Sequence, residues 1–421
     1  MDLDLLVTGT AGAFLASITI WVIWLGIDAV RSRTVSRQSV EAEQRYLQAK
    51  VAQIMAQKEF EKEKTELSWN GFRKFEVSER IEEGGGICSF ILRPHDKKPL
   101  PPFHPGQYLT FSLHLPDTSR PLIRCYSLSD CHHPDHYRVS IKQIDGDPSI
   151  PGSHPGKASN HFHKAIRKGA IVDVKAPTGQ FYLDITKAPP VVLIAGGVGL
   201  TPVLSMLNAL VAAGSKREVW LFYGVRDGSH HVMREHLNRI ALENENINLR
   251  ICYSQPREED RAGEDYHHAG RVDVALLRSE LPSSNYLYFI CGPAGMMRTI
   301  TAELKEWGVP DRHIHYEAFG AATVKKVAPS QPATSSATFR VEFTRSGKLL
   351  DWDGSAESIL DFAESNGIAI DSGCRAGNCG TCLTAVKEGE IEYVTEPGDK
   401  PETGSCLACI TVPKGDLKLD A

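Results

Sequence analysis

Cys374, Cys379 and Cys382 stand at C-x4-C-x2-C spacing near the end of the chain. Three thiolates this close in sequence suit a 2Fe-2S cluster. Structural zinc usually draws on two separate short cysteine pairs instead. Gly373, Gly377 and Gly380 are interleaved with them, and residues without a Cβ let backbone wrap closely around inorganic sulfur. A fourth thiolate must come from Cys406 or Cys409. Five of the ten cysteines lie between Cys374 and Cys409 and five are scattered, which is not the framework of a small secreted disulfide protein.

Such a cluster takes one electron at a time, whereas a nicotinamide gives two together as hydride, and a flavin is the usual converter between them. Arg124-Cys125-Tyr126-Ser127 has the chemistry to hold one. An arginine is a permanently charged planar fork suited to pyrophosphate. Tyr126 can lie against the ring or its ribityl chain, and the Ser127 hydroxyl can reach the ring edge. Further on, Gly156-Lys157-Ala158-Ser159-Asn160 offers a close backbone approach at Gly156 and a phosphate site at Ser159, with a helix expected to start at Asn160.

A β-branched run, Val191–Ala195, leads into Gly196-Gly197-Val198-Gly199-Leu200-Thr201-Pro202 and then an apolar helix. Strand, glycine turn, Thr201 as cap and Pro202 at the first helical position predict a phosphate-facing helix start. The string departs from the G-x-G-x-x-G dinucleotide fingerprint. Further strands are expected at Val219–Tyr223, Leu249–Tyr253 and Tyr286–Ile290, alternating with helices, so this segment reads as doubly wound α/β. The last of them runs into Cys291-Gly292-Pro293, at the carboxyl edge where such sheets bind ligands. Before it, short apolar runs at Ile87–Leu92, Tyr108–Leu113 and Tyr137–Lys142, separated by Gly, Pro, His and Asp, predict an antiparallel barrel of six strands.

At the start, Leu5 to Ile27 carries no charged residue. A helix of that length, at about 1.5 Å per residue, spans a hydrocarbon core of about 30 Å. The acidic start at Asp2 and Asp4 argues against a cleaved signal peptide. Arg31, Arg33 and Arg37 then place the rest of the chain in the cytoplasm by the positive-inside rule. Gly9, Ala13 and Ser17 recur every four residues, as small residues commonly do in membrane helices. From Ser36 to about Leu67 the chain lacks Gly and Pro, and Leu47, Val51 and Ile54 give a short a/d-like stripe on an otherwise solvated connector helix.

With these motifs in order, residues 69–320 resemble the ferredoxin–NADP+ reductase superfamily, in R-x-Y-S, G-x-x-S, G-G-x-G-x-T-P, Cys291-Gly292-Pro293 and Tyr316-Glu317-Ala318-Phe319-Gly320. The resemblance implies that Arg124 meets the pyrophosphate, that Tyr126 and Ser127 face the isoalloxazine, and that Gly156 and Ser159 serve the flavin phosphates. It places Gly196, Gly197, Gly199, Thr201, Gly292 and Pro293 on the nicotinamide side, with Cys291 at the nicotinamide itself. Glu317 and Phe319 are expected to close over the flavin, and Ser127, Cys291 and Glu317 form the implied catalytic set. Similarity of Leu407-Ala408-Cys409-Ile410 to plant-type ferredoxins selects Cys409 as the fourth cluster ligand. FAD is preferred over FMN because the barrel resembles the reductase domain of flavohaemoglobins and of reductases serving hybrid-cluster proteins. Phthalate dioxygenase reductase shares the domain order but uses FMN. The flavin subunit of the sodium-pumping quinone reductase has an N-terminal anchor, but its ferredoxin domain comes first.

The expected architecture is therefore multidomain α+β. A transmembrane helix (5–27) and connector helix (28–68) precede a FAD-binding antiparallel β-barrel (69–188) and a doubly wound NAD(P)-binding domain (189–320). A Pro/Ser/Thr/Ala-rich linker (321–337) leads to a β-grasp 2Fe-2S domain (338–421). The expected activity is hydride transfer from NADH or NADPH to FAD and single electrons onward to a membrane oxygenase, hydroxylase or desaturase. A respiratory-type dehydrogenase reducing quinone and a redox sensor are the alternatives. The implied location is the cell inner membrane, single-pass, with the catalytic domains in the cytoplasm. Among the residues expected to meet the adenosine ribose, Arg226, Arg257 and Arg261 suit a 2′-phosphate while Asp227, Glu258 and Glu259 repel one, and the reading leans to NADH. A formal net charge of −5 argues against nucleic-acid binding. From Thr338 onward eight Lys and Arg face fifteen Asp and Glu, so the last domain carries about −7 and would be steered to a basic partner. The paired histidines at 161/163, 230/231, 267/268 and 313/315 lack a ligand constellation in sequence and read as surface or strand positions.

Overall fold

The computed structural model describes residues 17, 19–25, 43, 44, 46–48, 50–116, 121–146, 155–317, 338–373, 375, 377, 380–394, 397 and 401–421. The chain divides into two compact units, Met1–Glu63 and Lys64–Ala421. Residues 19–25 are helical, and helix α1 runs over 50–67. Leu47, Val51 and Ile54, the expected stripe, are all exposed. No helix among the described residues is long and apolar enough to cross a membrane. Of the expected span 5–27 only Ser17 and Thr19–Leu25 are described, so the rest of that expectation, Gly9 and Ala13 included, lies outside the described residues.

Strands β1 (Arg73–Gly84), β2 (Ile87–Pro94), β3 (Tyr108–Leu113), β4 (Leu122–Ser127), β5 (Tyr137–Lys142) and β6 (Ile171–Thr178) form one antiparallel sheet in the order β4-β3-β6-β1-β2-β5. An antiparallel bridge between Leu128 and Val139 joins its two edges and closes the sheet as a barrel. Phe75, Phe90, Leu92 and Phe111 are fully buried inside it, each stabilising the fold by about 1.5–3 kcal/mol relative to exposure. Helix α2 (Lys157–Lys164) crosses between β5 and β6 and contributes Phe162, edge-on to Phe90, Phe111 and Tyr126.

The parallel sheet comprises β7 (Val191–Gly196), β8 (Val219–Val225), β9 (Ile247–Tyr253), β10 (His268–Ala269), β11 (Leu287–Cys291) and β12 (Ile314–Glu317), in the order β10-β9-β8-β7-β11-β12. The alternation along β7 explains the layering. Val191 and Leu193 enter one core and Val192 and Ile194 the other, as a strand covered on both faces requires. Helix α3 (Leu200–Ala212) lies on the first face with eleven consecutive residues buried, Leu200 to Leu210. A helix buried along eleven residues in a row, Thr201, Ser205 and Asn208 among them, must be covered on the side away from the sheet as well. Here the barrel supplies the second cover, since a Cβ on Gly106 would meet the Met206 methyl at 2.5 Å. Helices α4 (Arg234–Glu243), α5 (Val274–Glu280) and α6 (Ala294–Glu306) complete the layers.

The C-terminal domain has a five-stranded mixed sheet of order β14-β13-β19-β15-β17. Its strands are β13 (Phe339–Phe343), β14 (Lys348–Trp352), β15 (Leu383–Glu388), β17 (Ser405–Leu407) and β19 (Leu417–Leu419), while β16 (Ile391–Tyr393) and β18 (Thr411–Pro413) pair separately. Helix α7 (Ile359–Ser365) buries Ile359, Leu360 and Ala363 in one core with Val341 and Phe343, its Phe362 ring 6.3 Å from that of Phe343. Ser358 caps it by accepting from Asp361 N at 3.2 Å and donating to Asp361 Oδ2 at 2.7 Å.

Candidate active site

The carboxyl end of the parallel sheet meets the barrel at β4. In the ladder, Cys291 pairs with Ala195 of β7 on one side and Glu317 of β12 on the other. Ser127, the last residue of β4, donates to Glu317 Oε2 at 3.4 Å. Ser127, Cys291 and Glu317 are all buried. Burial pushes the Glu317 carboxyl up to about 8, against a smaller opposing effect of the Ser127 hydrogen bond. Burial, reinforced by Glu317, also drives the Cys291 thiol well above its usual range, so it stays neutral.

Arg124 and Tyr126 precede Ser127 on β4, opposite Phe111 and Leu109 of β3. Desolvation lowers the Arg124 pKa and raises that of Tyr126, while the Arg124 Nη1 donates to Ile123 O at 2.7 Å. The Tyr126 ring packs edge-on against Phe162 at 5.2 Å, which fixes the plane it presents.

Two helix starts differ from expectation. Helix α2 begins at Lys157 with Gly156 as its cap, not at Asn160. Asn160 Nδ2 instead reaches back to Gly156 O and Ile144 O, and Ser159 Oγ donates to Gly156 O at 3.1 Å, so both side chains brace the first turn from inside. Gly156 has no room for a Cβ, which would meet Ser159 Oγ at 2.6 Å. Helix α3 begins at Leu200 with Gly199 as cap, because a 3-10 turn over Gly197–Gly199 leads directly into it. Thr201 thus sits inside the helix, its Oγ1 donating to Val198 O at 3.1 Å. Pro202 still falls in the first turn, where a missing N–H leaves no bond unmade.

The glycine loop and the Cys291-Gly292-Pro293 loop are in direct backbone contact. A Cβ on Gly199 would lie 2.1 Å from Cys291 O, and one on Gly196 would lie 2.8 Å from Pro293 Cδ. Beyond β8, Asp227 accepts from Ser229 N at 3.0 Å, Ser229 Oγ at 2.5 Å and His230 Nδ1 at 2.9 Å. Those bonds, Ser229 first, hold its carboxyl low, at about 2. Arg257 is shared among Asp227, Glu259 and Asp260, Arg261 pairs with Glu264, and Arg226 donates to Gln255.

In the C-terminal domain Cys382 Sγ and Cys409 Sγ lie 3.1 Å apart, both buried. Cys406 is fully buried in β17, opposite Thr384 of β15, and burial pushes its thiol up to about 12. Gly377, at φ +75°, leaves space that a Cβ would take from Ile410 Cδ1, 2.4 Å away. Cys374, Cys379 and Phe319 lie outside the described residues. Of the expected histidines, His163 bonds Ile141 O and His267 accepts from Ile251 N, which are structural uses.

These donor sets fit the expected groups. Two converging thiols suit iron, the glycine-capped starts of α2 and α3 suit phosphates, and the buried junction of Ser127, Cys291 and Glu317 suits the edge of a ring system. The profile of the oxidoreductase NAD-binding domain matches residues 193–302, and that of the 2Fe-2S iron-sulfur cluster binding domain matches 344–414. A flavohemoprotein of Halalkalibacterium halodurans is 39% identical over 254 residues, 60% of this chain and 61% of that protein. The chain spans about three fifths of the length of the curated relatives it matches. The structure of the FAD/NAD binding domain of a Vibrio cholerae nitric oxide dioxygenase covers 60% of this chain and all of its own, at 28% identity and TM-score 0.52. Phthalate dioxygenase reductase, described as transferring electrons from pyridine nucleotides to [2Fe-2S], covers 84% of this chain and 98% of its own, at 27% identity and TM-score 0.52.

Proposed function

We propose that this chain, which the comparisons support as a ferredoxin–NADP+ reductase-type flavoprotein joined to a C-terminal 2Fe-2S domain, delivers electrons from NADH to a membrane oxygenase, hydroxylase or desaturase. The observation that carries it is the convergence of Ser127, Cys291 and Glu317 where the barrel meets the carboxyl end of the parallel sheet. A bound FAD would supply the conversion between a two-electron hydride donor and a one-electron 2Fe-2S cluster.

The chain's own residues do the rest. Gly199 lets the α3 start press against the Cys291 loop, so a nicotinamide entering there meets amide donors and a neutral, apolar thiol floor. Glu317 carries a proton at neutral pH and, with Ser127, sets the polarity where β4 meets the parallel sheet. Arg124 and the α2 start hold pyrophosphate charge. Cys374, Cys379, Cys382 and Cys409 hold iron. The reading favours NADH because Arg257 and Arg261 are already paired to carboxylates and Asp227 keeps a buried negative charge beyond β8. An apolar span over 5–27 would keep the reductase beside its acceptor in the inner membrane, with its catalytic domains in the cytoplasm.

Anaerobic titration of the full chain with NADH and NADPH, read by visible absorbance and electron paramagnetic resonance, tests this. Flavin bleaching by NADH followed by an S = 1/2 ferredoxin-type signal is expected. A chain that binds no flavin, or whose cluster is never reduced, overturns the reading.

A further inference from the structure

The loop between β4 and β5 reads Asp130-Cys131-His132-His133-Pro134-Asp135-His136. One donor atom each from Asp130, Cys131 and His133 lies within 4.8 Å of the others, all three residues being half-buried. Cys131 Sγ and His133 Nε2 are 3.6 Å apart. A zinc ion bonded to sulfur at about 2.3 Å and to nitrogen at about 2.0–2.1 Å, at a tetrahedral angle, holds those two atoms roughly 3.5 Å apart.

The surroundings fix the donors. Asp130 Oδ1 accepts from Cys131 N at 2.9 Å and from Asn208 Nδ2 of α3 at 2.8 Å, and Asp130 O accepts from Ser205 Oγ at 2.7 Å. The ring of His133 stacks on His136 with centroids 4.4 Å apart, and His136 Nδ1 is 2.8 Å from Asp135 Oδ1. Outer bonds of this kind orient metal ligands and favour the metal-binding form. Arg138 Nη1 lies 3.4 Å from Asp130 Oδ2 and competes with a cation there. One thiolate, one imidazole and one carboxylate form a mixed set that a borderline-soft divalent ion satisfies better than Mg2+ or Ca2+.

We propose that Asp130, Cys131 and His133 form a three-ligand Zn2+ site with a fourth position for water, at the seam where the barrel grips α3 of the nicotinamide domain. It is separate from the cluster cysteines and uses none of the residues assigned to flavin or nicotinamide. An ion bound here pulls on Asp130, the residue that ties the barrel to Ser205 and Asn208.

The test uses the full chain with flavin and iron in place, washed with a chelator too weak to strip the cluster and then equilibrated with Zn2+. Zinc content is measured together with zinc-edge X-ray absorption. One bound zinc with a single sulfur neighbour and the rest nitrogen or oxygen is expected. Cys131→Ser and His133→Gln, with flavin and iron content unchanged, should each weaken binding at least roughly tenfold. Failure to retain zinc overturns the proposal, as do four sulfur neighbours, which would place zinc among the cluster cysteines. Wild-type zinc affinity in both variants overturns it too, leaving the 3.6 Å contact as a thiol–imidazole hydrogen bond.

Discussion

The Ser127 hydroxyl donates to Glu317 Oε2 at 3.4 Å, across 190 residues of chain and across the boundary between the barrel and the parallel sheet. Because burial raises the Glu317 carboxyl to about 8, it is neutral at pH 7 and ionises just above. A buried negative charge beside Ser127 opposes the added negative charge of hydride transfer. The rate of flavin reduction by NADH should therefore fall as pH rises through about 8. Glu317→Gln, which stays neutral, should lose that inflection while Glu317→Ala slows reduction roughly tenfold or more. Stopped-flow pH profiles check this, and an unchanged inflection in Glu317→Gln assigns it to another group.

The same shift has a consequence for stability. A carboxyl whose folded pKa is about 8 against 4.5 unfolded binds more protons when folded, so its contribution is complete below about 4.5 and lost as pH rises to about 8. In flavin-free protein, denaturant unfolding across that window should show a decline on the order of a few kcal/mol. Glu317→Gln should flatten it.

Gly199→Ala places a methyl 2.1 Å from Cys291 O, against backbone that cannot rotate away. The two loops must part, at a cost of about 1–3 kcal/mol. Loss of NADH-driven reduction with flavin content retained is expected, read as KM and melting temperature together. A variant with wild-type KM would show that the loops separate without disturbing the nicotinamide.

Cys409 Sγ meets Cys382 Sγ whereas Cys406 is held in the β17 ladder. Cys409→Ser should lose the ferredoxin-type signal and half or more of its iron, while Cys406→Ser keeps both. The reverse pattern exchanges their roles.

With about −7 on the C-terminal domain, electron delivery to a separate acceptor should slow as salt shortens the screening length from about 10 Å at 0.1 M to about 3 Å at 1 M. Reduction of the flavin by NADH serves as the internal control. Transfer that ignores ionic strength removes the steering argument.

Strands announced themselves through short apolar runs between turn residues, and β3 and β5 fall where Tyr108–Leu113 and Tyr137–Lys142 were expected. Helix starts were harder to read. Thr201 and Asn160 are good caps by residue type, but a 3-10 turn and a backbone cap at Gly156 moved both starts upstream. Motif order implied that Ser127 and Glu317 share a site, yet burial of that carboxyl is a tertiary effect with no local signature. The Asp130-Cys131-His133 grouping escaped because its ligands sit in one irregular loop, without a repeated cysteine or histidine spacing. The mixed run Cys-His-His-Pro-Asp-His was the signal present.

Strand β4 pairs with β3 along one side, and the bridge that closes the barrel comes only at Leu128, one residue past its end. From Leu122 to Tyr126 it is half-exposed, whereas β3 beside it is buried throughout. Among the described residues β4 is thus the barrel strand beside β3 whose side chains stand partly in solvent along most of their length. A flavin seated against Arg124 and Tyr126 would also be a guard: protein deprived of it would show more of β4 to neighbouring molecules, and self-association is then expected before any unfolding.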